Sequence, residues 1–363
     1  MALVKSTKLT EEQEKKLQQL IQDIPDILAK TEDPSYDEIY GYRIAPEEKE
    51  YVNVEIRNEI LLKFLIAREY DIEKAKEMLV NTFNWRRKFL VLSAAYDEKF
   101  DKDLEKMGVI TNYEGNKDNF SVVTWNLYAN LKNPKKLFAK FGVGVDNPDK
   151  TDLPGTMFLR WRVGLMERSL ALLDFTNPDK CKIAQVHDYN NVSMFRMDPG
   201  MKAATKEIIT IFGDNYPELL SKKYFINVPL LMGWVFAFFK ATGFMSAATL
   251  KKFEMLNHGD LSEAFGKENL PQAYNGGETN EKFPDIFALQ VDDSTIESPE
   301  YGLIILEKLK KAQEEESKKQ ELAEPVEKTT EGANIATDSK ITEDAGPETP
   351  DDEKVTKKDE TVA

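Results

Sequence analysis

The sequence predicts an α/β protein in which a helical N-terminal domain precedes a domain with a mostly parallel sheet. Helical periodicity fills residues 10–89, and from residue 108 β-branched and aromatic runs alternate with helical runs. Such alternation is typical of parallel βαβ units. From Glu314 onward the chain has 16 acidic residues, 7 basic residues and no aromatic side chain, which predicts a disordered acidic tail. We therefore expect domains over residues 1–100, 101–313 and 314–363.

Composition limits the classes of function. The 363 residues contain one cysteine, Cys181, which excludes an internal disulfide and fits a reducing compartment. The N-terminus lacks an apolar stretch of signal-peptide length, so we expect a cytoplasmic protein. The formal charge of −15 argues against binding of nucleic acid. No P-loop, nucleophile elbow or CxxC pair occurs, so nothing in the sequence requires an enzyme.

The N-terminal helices are predicted from capping residues and periodicity. Thr10 and Gln13 have the spacing of a capping box at the start of the first helix. A second helix is predicted over residues 56–67, and Asp71 caps a third that ends near Phe89. Residues 37–42 are interpreted as an ordered connection.

The second domain begins with a strand over residues 122–128, which places Thr124, Asn126 and Tyr128 on one face. The further predicted elements are a helix over 157–173, a strand over 185–189, a helix over 199–212 capped by Asp198, a strand over 224–229, a helix and turn over 250–265, and an amphipathic helix over 301–311.

His187 and Tyr189 point to the same side of the strand over residues 185–189, because alternate side chains share a face. The chain has only one other histidine, His258. Imidazole nitrogen and phenolate oxygen both bind iron, so the pair is a candidate metal or haem site. The alternative is a half-buried strand whose polar groups bond to neighbouring residues. The spacing alone leaves both interpretations open.

Residues 230–239 form the most apolar run of the chain, and they are too few to span a bilayer. As a helix, this run would be apolar almost all round. It is therefore either buried or placed over an apolar cavity that opens onto a membrane.

Several segments together resemble the CRAL-TRIO lipid-carrier family over roughly residues 55–277. The N-terminal resemblance lies in LKFLIAR at 62–68 and in the helix that follows it to Arg86. The second domain matches in YPE at 216–218, YFINVP at 224–229, and NLP at 269–271 with its following Gly276 and Gly277. VTWNLY at 123–128, RVGLME at 162–167 and VHDY at 186–189 are similar to a fungal branch of non-classical, haem-binding phosphatidylinositol transfer proteins.

The resemblance implies a fold with one large apolar cavity and a mobile gate over residues 230–245, and it implies two bound ligands. For phosphatidylinositol, Glu218 and Lys240 match the residues that contact the headgroup. For haem b, Tyr189 matches the axial ligand of ferric iron, with His187 beside it. Tyr128, Arg162 and Lys223 match polar groups around the porphyrin. Arg162 is expected to lower the pKa of Tyr189, and Lys223 to pair with a propionate.

One position departs from that branch, because Arg68 stands where a further haem-pocket tyrosine is expected and Tyr70 lies two residues on. The resemblance otherwise implies a monomeric carrier, without enzymatic activity, that exchanges phosphatidylinositol and supports phosphoinositide homeostasis. It further implies peripheral association with endoplasmic reticulum or microsomal and plasma membranes, and a role in the oxidant stress response. The alternatives are a haem enzyme of peroxidase or catalase type, and a ligand-sensing adaptor that presents the acidic tail to partners.

Overall fold

The computed structural model describes residues 2–131, 133–142, 153–190, 192, 199–228, 251–276, 285–292 and 295–323. The predicted gate over 230–245, with Lys240, and the predicted cap Asp198 lie outside these residues. The elements up to residue 314 belong to one compact unit, and the predicted boundary near residue 100 stays a prediction. Within the described ranges, no helix has the length and apolar character needed to cross a membrane.

The N-terminal part is helical and contains one short hairpin. Its elements are α1 (Glu11–Gln22), α2 (Ile24–Ala29), the hairpin strands β1 (Glu38–Ile39) and β2 (Tyr42–Arg43), α3 (Val54–Ala67), α4 (Ile72–Phe89), α5 (Val91–Tyr96) and α6 (Lys102–Glu105). The capping box at Thr10 is confirmed, since both of its hydrogen bonds to Gln13 are present. Asp71 also caps α4 as predicted, because its side chain accepts from the Lys74 amide.

The second part is built on a five-stranded sheet. Its strands are β3 (Gly108–Asn112), β4 (Val122–Leu127), β5 (Ile183–Asp188), β6 (Leu220–Ile226) and β7 (Phe253–Met255), in the spatial order β3-β4-β5-β6-β7. β3 pairs antiparallel with β4, and all other neighbours are parallel. Four further helices are α7 (Pro134–Phe141), α8 (Met157–Leu170), α9 (Pro199–Asn215) and α10 (Ser262–Phe265). The predicted, mostly parallel sheet is thus confirmed.

Several predicted elements differ from the structure. Residues 250–265 were expected to form a helix and turn, but they contain the edge strand β7, whose neighbour β6 supplies a hydrogen-bonding partner that periodicity cannot reveal. β3 and α7 were not predicted at all. The last helix, α11 (Glu300–Ala323), continues beyond residue 311 into the segment expected to be disordered, because its Glu- and Lys-rich sequence favours helix. Residues 324–363 lie outside the described part.

A buried ion cluster joins the hairpin and α4 to α8. Arg86 on α4 donates to Glu38 on β1 and to Glu167 on α8, at 2.7 Å in each case. Tyr36 donates to Glu38 at 2.7 Å, and Tyr216 donates to Glu167 at 2.6 Å. The Arg86 side chain has no accessible surface. The cluster therefore connects the helical part of the chain to the part that carries the sheet.

Candidate functional site

The three central strands place their polar residues on one face of the sheet. Alternate residues on the other face pack into an apolar cluster that includes Val123, Trp125, Val186, Tyr224 and Phe265. On the polar face, parallel pairing aligns Thr124 with Gln185 and Lys223, and it aligns Asn126 with His187 and Phe225. Sequence alternation predicted which side chains share a face, and the register shows which of them are neighbours.

Tyr128, His187 and Tyr189 lie together at the end of these strands. The Tyr128 hydroxyl is 3.3 Å from His187 Nδ1, and the Tyr128 and Tyr189 ring centroids are 4.9 Å apart. The Asn126 amide nitrogen is 3.4 Å from His187 Nε2. Since an amide nitrogen only donates, Nε2 accepts and Nδ1–H donates to Tyr128. The His187 ring is also stacked on Phe225, with centroids 5.2 Å apart. Tyr128 therefore contacts both His187 and Tyr189.

Asp188 holds the end of β5 from the opposite side of the sheet. Its carboxylate accepts hydrogen bonds from Asn227 at 2.7 Å, from the Tyr274 hydroxyl at 2.8 Å and from the Asn190 amide at 2.9 Å. Because alternate side chains point to opposite faces, this anchor directs His187 and Tyr189 toward the polar face.

Arg162 on α8 faces the same group of side chains. It is 5% exposed, and it donates through Nη1 to the Asn126 side-chain oxygen. Its guanidinium lies 5.5 Å from the centroid of the Trp161 ring. No described residue accepts a hydrogen bond from the buried Arg162 Nε. A buried donor without a partner is unfavourable, and this one is available to an acceptor brought by a ligand.

Lys223 is the second cation at this face. Its half-buried ammonium lies 5.5 Å from the Phe225 ring and 5.7 Å from the Phe253 ring. No described residue forms a hydrogen bond or ion pair with the ammonium. Burial, and to a smaller extent the positive charge of Arg162, lowers the pKa of Lys223 from 10.5 to about 7.

Burial also controls protonation of the aromatic ligand candidates. The pKa of His187 lies well below its usual value because of burial, Lys223 and Arg162, so the imidazole is neutral. The pKa of Tyr189 is raised well above 10, mainly by burial and then by Tyr128, whereas Arg162 lowers it. Arg162 thus lowers the pKa of Tyr189 as expected, but burial outweighs this effect and the net pKa is raised. Tyr189 is a neutral phenol here.

Glu218 lies apart from this group, just before β6. Its carboxylate bonds to the Lys252 ammonium at 3.0 Å, and its carbonyl accepts from Lys63 at 3.3 Å. Its φ angle of 52° places it in the left-handed region, which costs a residue with a Cβ about 1–3 kcal/mol. The role of Glu218 in headgroup binding stays a prediction, as does that of Lys240, which lies outside the described residues.

Arg68 and Tyr70 occupy the turn after α3. Arg68 is the C-terminal capping residue of α3, and Tyr70 packs half-buried against the core with a φ angle of 62°. Among the described residues, neither forms a hydrogen bond or a ring contact with Tyr128, His187 or Tyr189. The departure from the haem-binding branch at Arg68 is therefore not offset by Tyr70 in the described contacts.

The structure adds four residues that the sequence did not single out as site residues. Asn126 and Phe225 were detectable, since strand alternation places them on the site face. Lys63 and Lys252 were not, because each reaches its partner across a large separation in sequence. In the described part of the chain, no three His, Cys, Asp or Glu side chains converge as a metal site. The role of Tyr189 as an iron ligand stays a prediction.

Comparison with known proteins places the chain in a family. The CRAL/TRIO domain matches residues 121–276, and the CRAL/TRIO N-terminal domain matches residues 15–81. The chain is 59% identical over 306 residues to the phosphatidylinositol transfer protein SFH5 of Meyerozyma guilliermondii, covering 84% of this chain and 89% of that protein. It is 54% identical over 332 residues to the protein of the same name from Lodderomyces elongisporus, covering 84% and 78%.

A solved structure supports the same assignment. The crystal structure of Sfh5 superposes with a TM-score of 0.71 at 36% identity, covering 84% of this chain and 99% of that chain. The matched domains agree with the described fold, which has a helical N-terminal part and a mostly parallel sheet. The chain belongs to the CRAL-TRIO family, in the branch of the fungal SFH5 proteins.

Proposed function

We propose that this protein binds phosphatidylinositol and transfers it between membranes. The observation that carries the proposal is the 59% identity, over 89% of its length, to a relative named as a phosphatidylinositol transfer protein. Glu218 accepts hydrogen bonds from inositol hydroxyls, and Lys240 pairs with the phosphodiester. In this proposal, lipid is exchanged at the membrane through the gate predicted over residues 230–245.

Transfer of labelled phosphatidylinositol between vesicles tests this function. The wild-type protein is expected to accelerate transfer, and Glu218→Gln to slow it, because the substitution removes the charge and one acceptor from the headgroup contact. Glu254→Gln is the matched control, since Glu254 on β7 also pairs with a lysine of β6, Lys222, at 3.0 Å. A wild type that does not accelerate transfer would overturn the proposal.

We propose, in addition, that the polar face of the sheet binds ferric haem. The residues fit the group. Arg162 and Lys223 are two cations without a carboxylate partner among the described residues, as two propionates require. Tyr189 would supply an oxygen ligand for the ferric iron of the bound haem.

The side chains around Tyr189 have separate tasks. Arg162 favours the phenolate form of Tyr189, because its positive charge opposes the effect of burial. Tyr128 and Asn126 contact the ring nitrogens of the neutral His187, and the Tyr189 ring packs against the rings of Tyr128 and Phe225. Phe225 and Phe253 provide an apolar surface suited to a porphyrin.

An absorption spectrum of freshly purified protein, expressed with ample haem, tests this second proposal. The wild type is expected to show a Soret band with the pattern of a high-spin phenolate complex, and Tyr189→Phe to lose that pattern. Tyr224→Phe is the control, because Tyr224 lies on the opposite face of the sheet. A colourless wild type would mean that Tyr189 and His187 are structural.

We propose that the protein acts as a monomer, without enzymatic activity. We place it in the cytoplasm and peripherally at endoplasmic reticulum or microsomal and plasma membranes, with haem linking it to the oxidant stress response. Both ring nitrogens of His187 have a described polar neighbour, which supports a carrier rather than a peroxidase, since a peroxidase needs a ring nitrogen free to act as a base. Peroxide turnover well above that of free haemin would instead favour the enzyme.

A further inference from the structure

Lys63 connects the N-terminal helices to the two central strands of the sheet. It belongs to α3 and is 5% exposed. Its ammonium donates to the carbonyl of Cys181 at 3.2 Å and to the carbonyl of Glu218 at 3.3 Å. These carbonyls come just before β5 and β6, which are parallel neighbours. One side chain of α3 thus bridges the starts of both strands.

This bridge requires an ammonium in an unfavourable place. Burial lowers the pKa of Lys63 from 10.5 to about 8, so the fold holds the charge at a cost. The ionisable groups around it are Glu59 on α3, Cys181 and Lys182 before β5, and Glu218 before β6. Its described hydrogen-bond partners are carbonyls rather than carboxylates, and the Phe175 ring centroid lies 5.8 Å away.

The conformation of Glu218 explains what the bridge achieves. Its φ angle of 52° is rarely adopted by a residue with a Cβ, and such conformations persist only where the surroundings fix them. Lys63 holds the Glu218 carbonyl at 3.3 Å, and Lys252 holds its carboxylate at 3.0 Å. Both ends of Glu218 are therefore fixed by lysines from other elements.

We propose that Lys63 is a positioning residue for phosphatidylinositol recognition: it fixes the peptide of Glu218 and thereby aims that carboxylate at the inositol headgroup. This inference rests on the proposed transfer function and on the headgroup role of Glu218. It places control of headgroup binding partly in the N-terminal helices, which contribute no predicted headgroup contact themselves.

A double-mutant cycle with the full chain tests the inference. Lys63→Met retains the length of the side chain and removes the donors. We expect it to slow phosphatidylinositol transfer by roughly tenfold, the loss typical when a residue that orients a ligand group is removed. In the Glu218→Gln background, Lys63→Met should cause little additional loss, because the carboxylate that it positions is already gone. Lys74→Met, on the exposed surface of α4, is the control.

The outcomes separate the two proposals. If the wild type transfers phosphatidylinositol and Lys63→Met transfers it equally well, the positioning role is wrong and the transfer function stands. Fully multiplicative losses in the double mutant would also overturn the positioning role, since they would indicate general destabilisation. If the wild type transfers no phosphatidylinositol, both the transfer function and this inference fail.

A pH profile keeps the inference testable if Lys63→Met does not fold. Wild-type transfer is expected to decline as the pH rises through about 8, where the Lys63 ammonium loses its charge. Lys63→Arg retains its charge throughout this range, so we expect a flatter profile. Identical profiles for the wild type and Lys63→Arg would contradict the proposal.

Discussion

Two buried arginines of this protein have opposite surroundings. Arg86 donates to the carboxylates of Glu38 and Glu167, and tyrosine hydroxyls bond to the same two carboxylates. Arg162, which lies close enough to Lys223 to lower the pKa of that lysine, has no carboxylate partner among the described residues, and its Nε atom has no partner there at all. The first cluster satisfies its charges internally, whereas the second leaves two cations available.

This difference separates a structural charge from a binding charge. A buried ion cluster that is complete resists the loss of any member, because each loss leaves an uncompensated charge. Cations without partners do the reverse: they lower the stability of the fold until an anion arrives. The predictions below test whether the two clusters differ in this way.

The largest effect is expected at the paired cluster. Arg86→Met should lower the free energy of unfolding by about 3–5 kcal/mol, because Glu38 and Glu167 would remain buried without their cation. Denaturant unfolding measures the change. Arg87→Met is the control, since Arg87 is 38% exposed and its bond to Asp33 is 3.2 Å long; its loss should cost under about 1 kcal/mol. Equal effects of the two substitutions would contradict the assignment of Arg86 to a structural ion cluster.

The opposite sign is expected at the sheet face. Lys223→Met should raise the free energy of unfolding of protein prepared without haem by about 1–3 kcal/mol, because it removes a half-buried ammonium that has no partner among the described residues. The same substitution should weaken haem binding, measured by titration of the Soret band. A variant that is less stable than the wild type would mean that Lys223 has a stabilising role in the fold.

The pH dependence of stability offers a smaller, independent measure. The folded-state pKa of Lys223 is about 7, below its usual 10.5, so the unfolded chain binds more protons above pH 7. Stability should therefore rise with pH from about 7 to about 8, by up to about 1 kcal/mol. Lys63, with a pKa of about 8, contributes with the same sign at higher pH. Denaturant unfolding at the two pH values should show the rise in the wild type and a clearly smaller rise in Lys223→Met, in which the contribution of Lys63 remains.

Sequence patterns predicted much of the sheet face. Strand alternation placed His187 with Tyr189, and Asn126 with Tyr128, because it depends only on neighbouring residues. The register that brings Asn126 beside His187 depends on pairing between separate strands, and no local pattern specifies that pairing. The β7 strand was missed for the same reason, since its partner β6 lies on the other side of the apolar run.

The difference between the two arginines was beyond sequence analysis. Glu38 and Glu167 are far from Arg86 in the chain, and all three residues resemble ordinary charges of helices and turns. The sequence indicated that Arg162 lowers the pKa of Tyr189, but it gave no measure of burial, which raises that pKa by more. Burial and partner identity are properties of the assembled fold, and they decide whether a charge stabilises the fold or binds a ligand.

The smallest effect is expected at Lys222, the chain neighbour of Lys223. Lys222 points to the other side of β6 and pairs with Glu254 at 3.0 Å, with side-chain exposures of 29% and 41%. Lys222→Met should change the free energy of unfolding by under about 0.5 kcal/mol, since exposed ion pairs contribute little. It should leave haem binding unchanged in the Soret titration. If both lysine substitutions stabilise the protein equally, the gain comes from removing any positive charge from β6. That result would contradict the claim that Lys223 on the polar face is a binding charge.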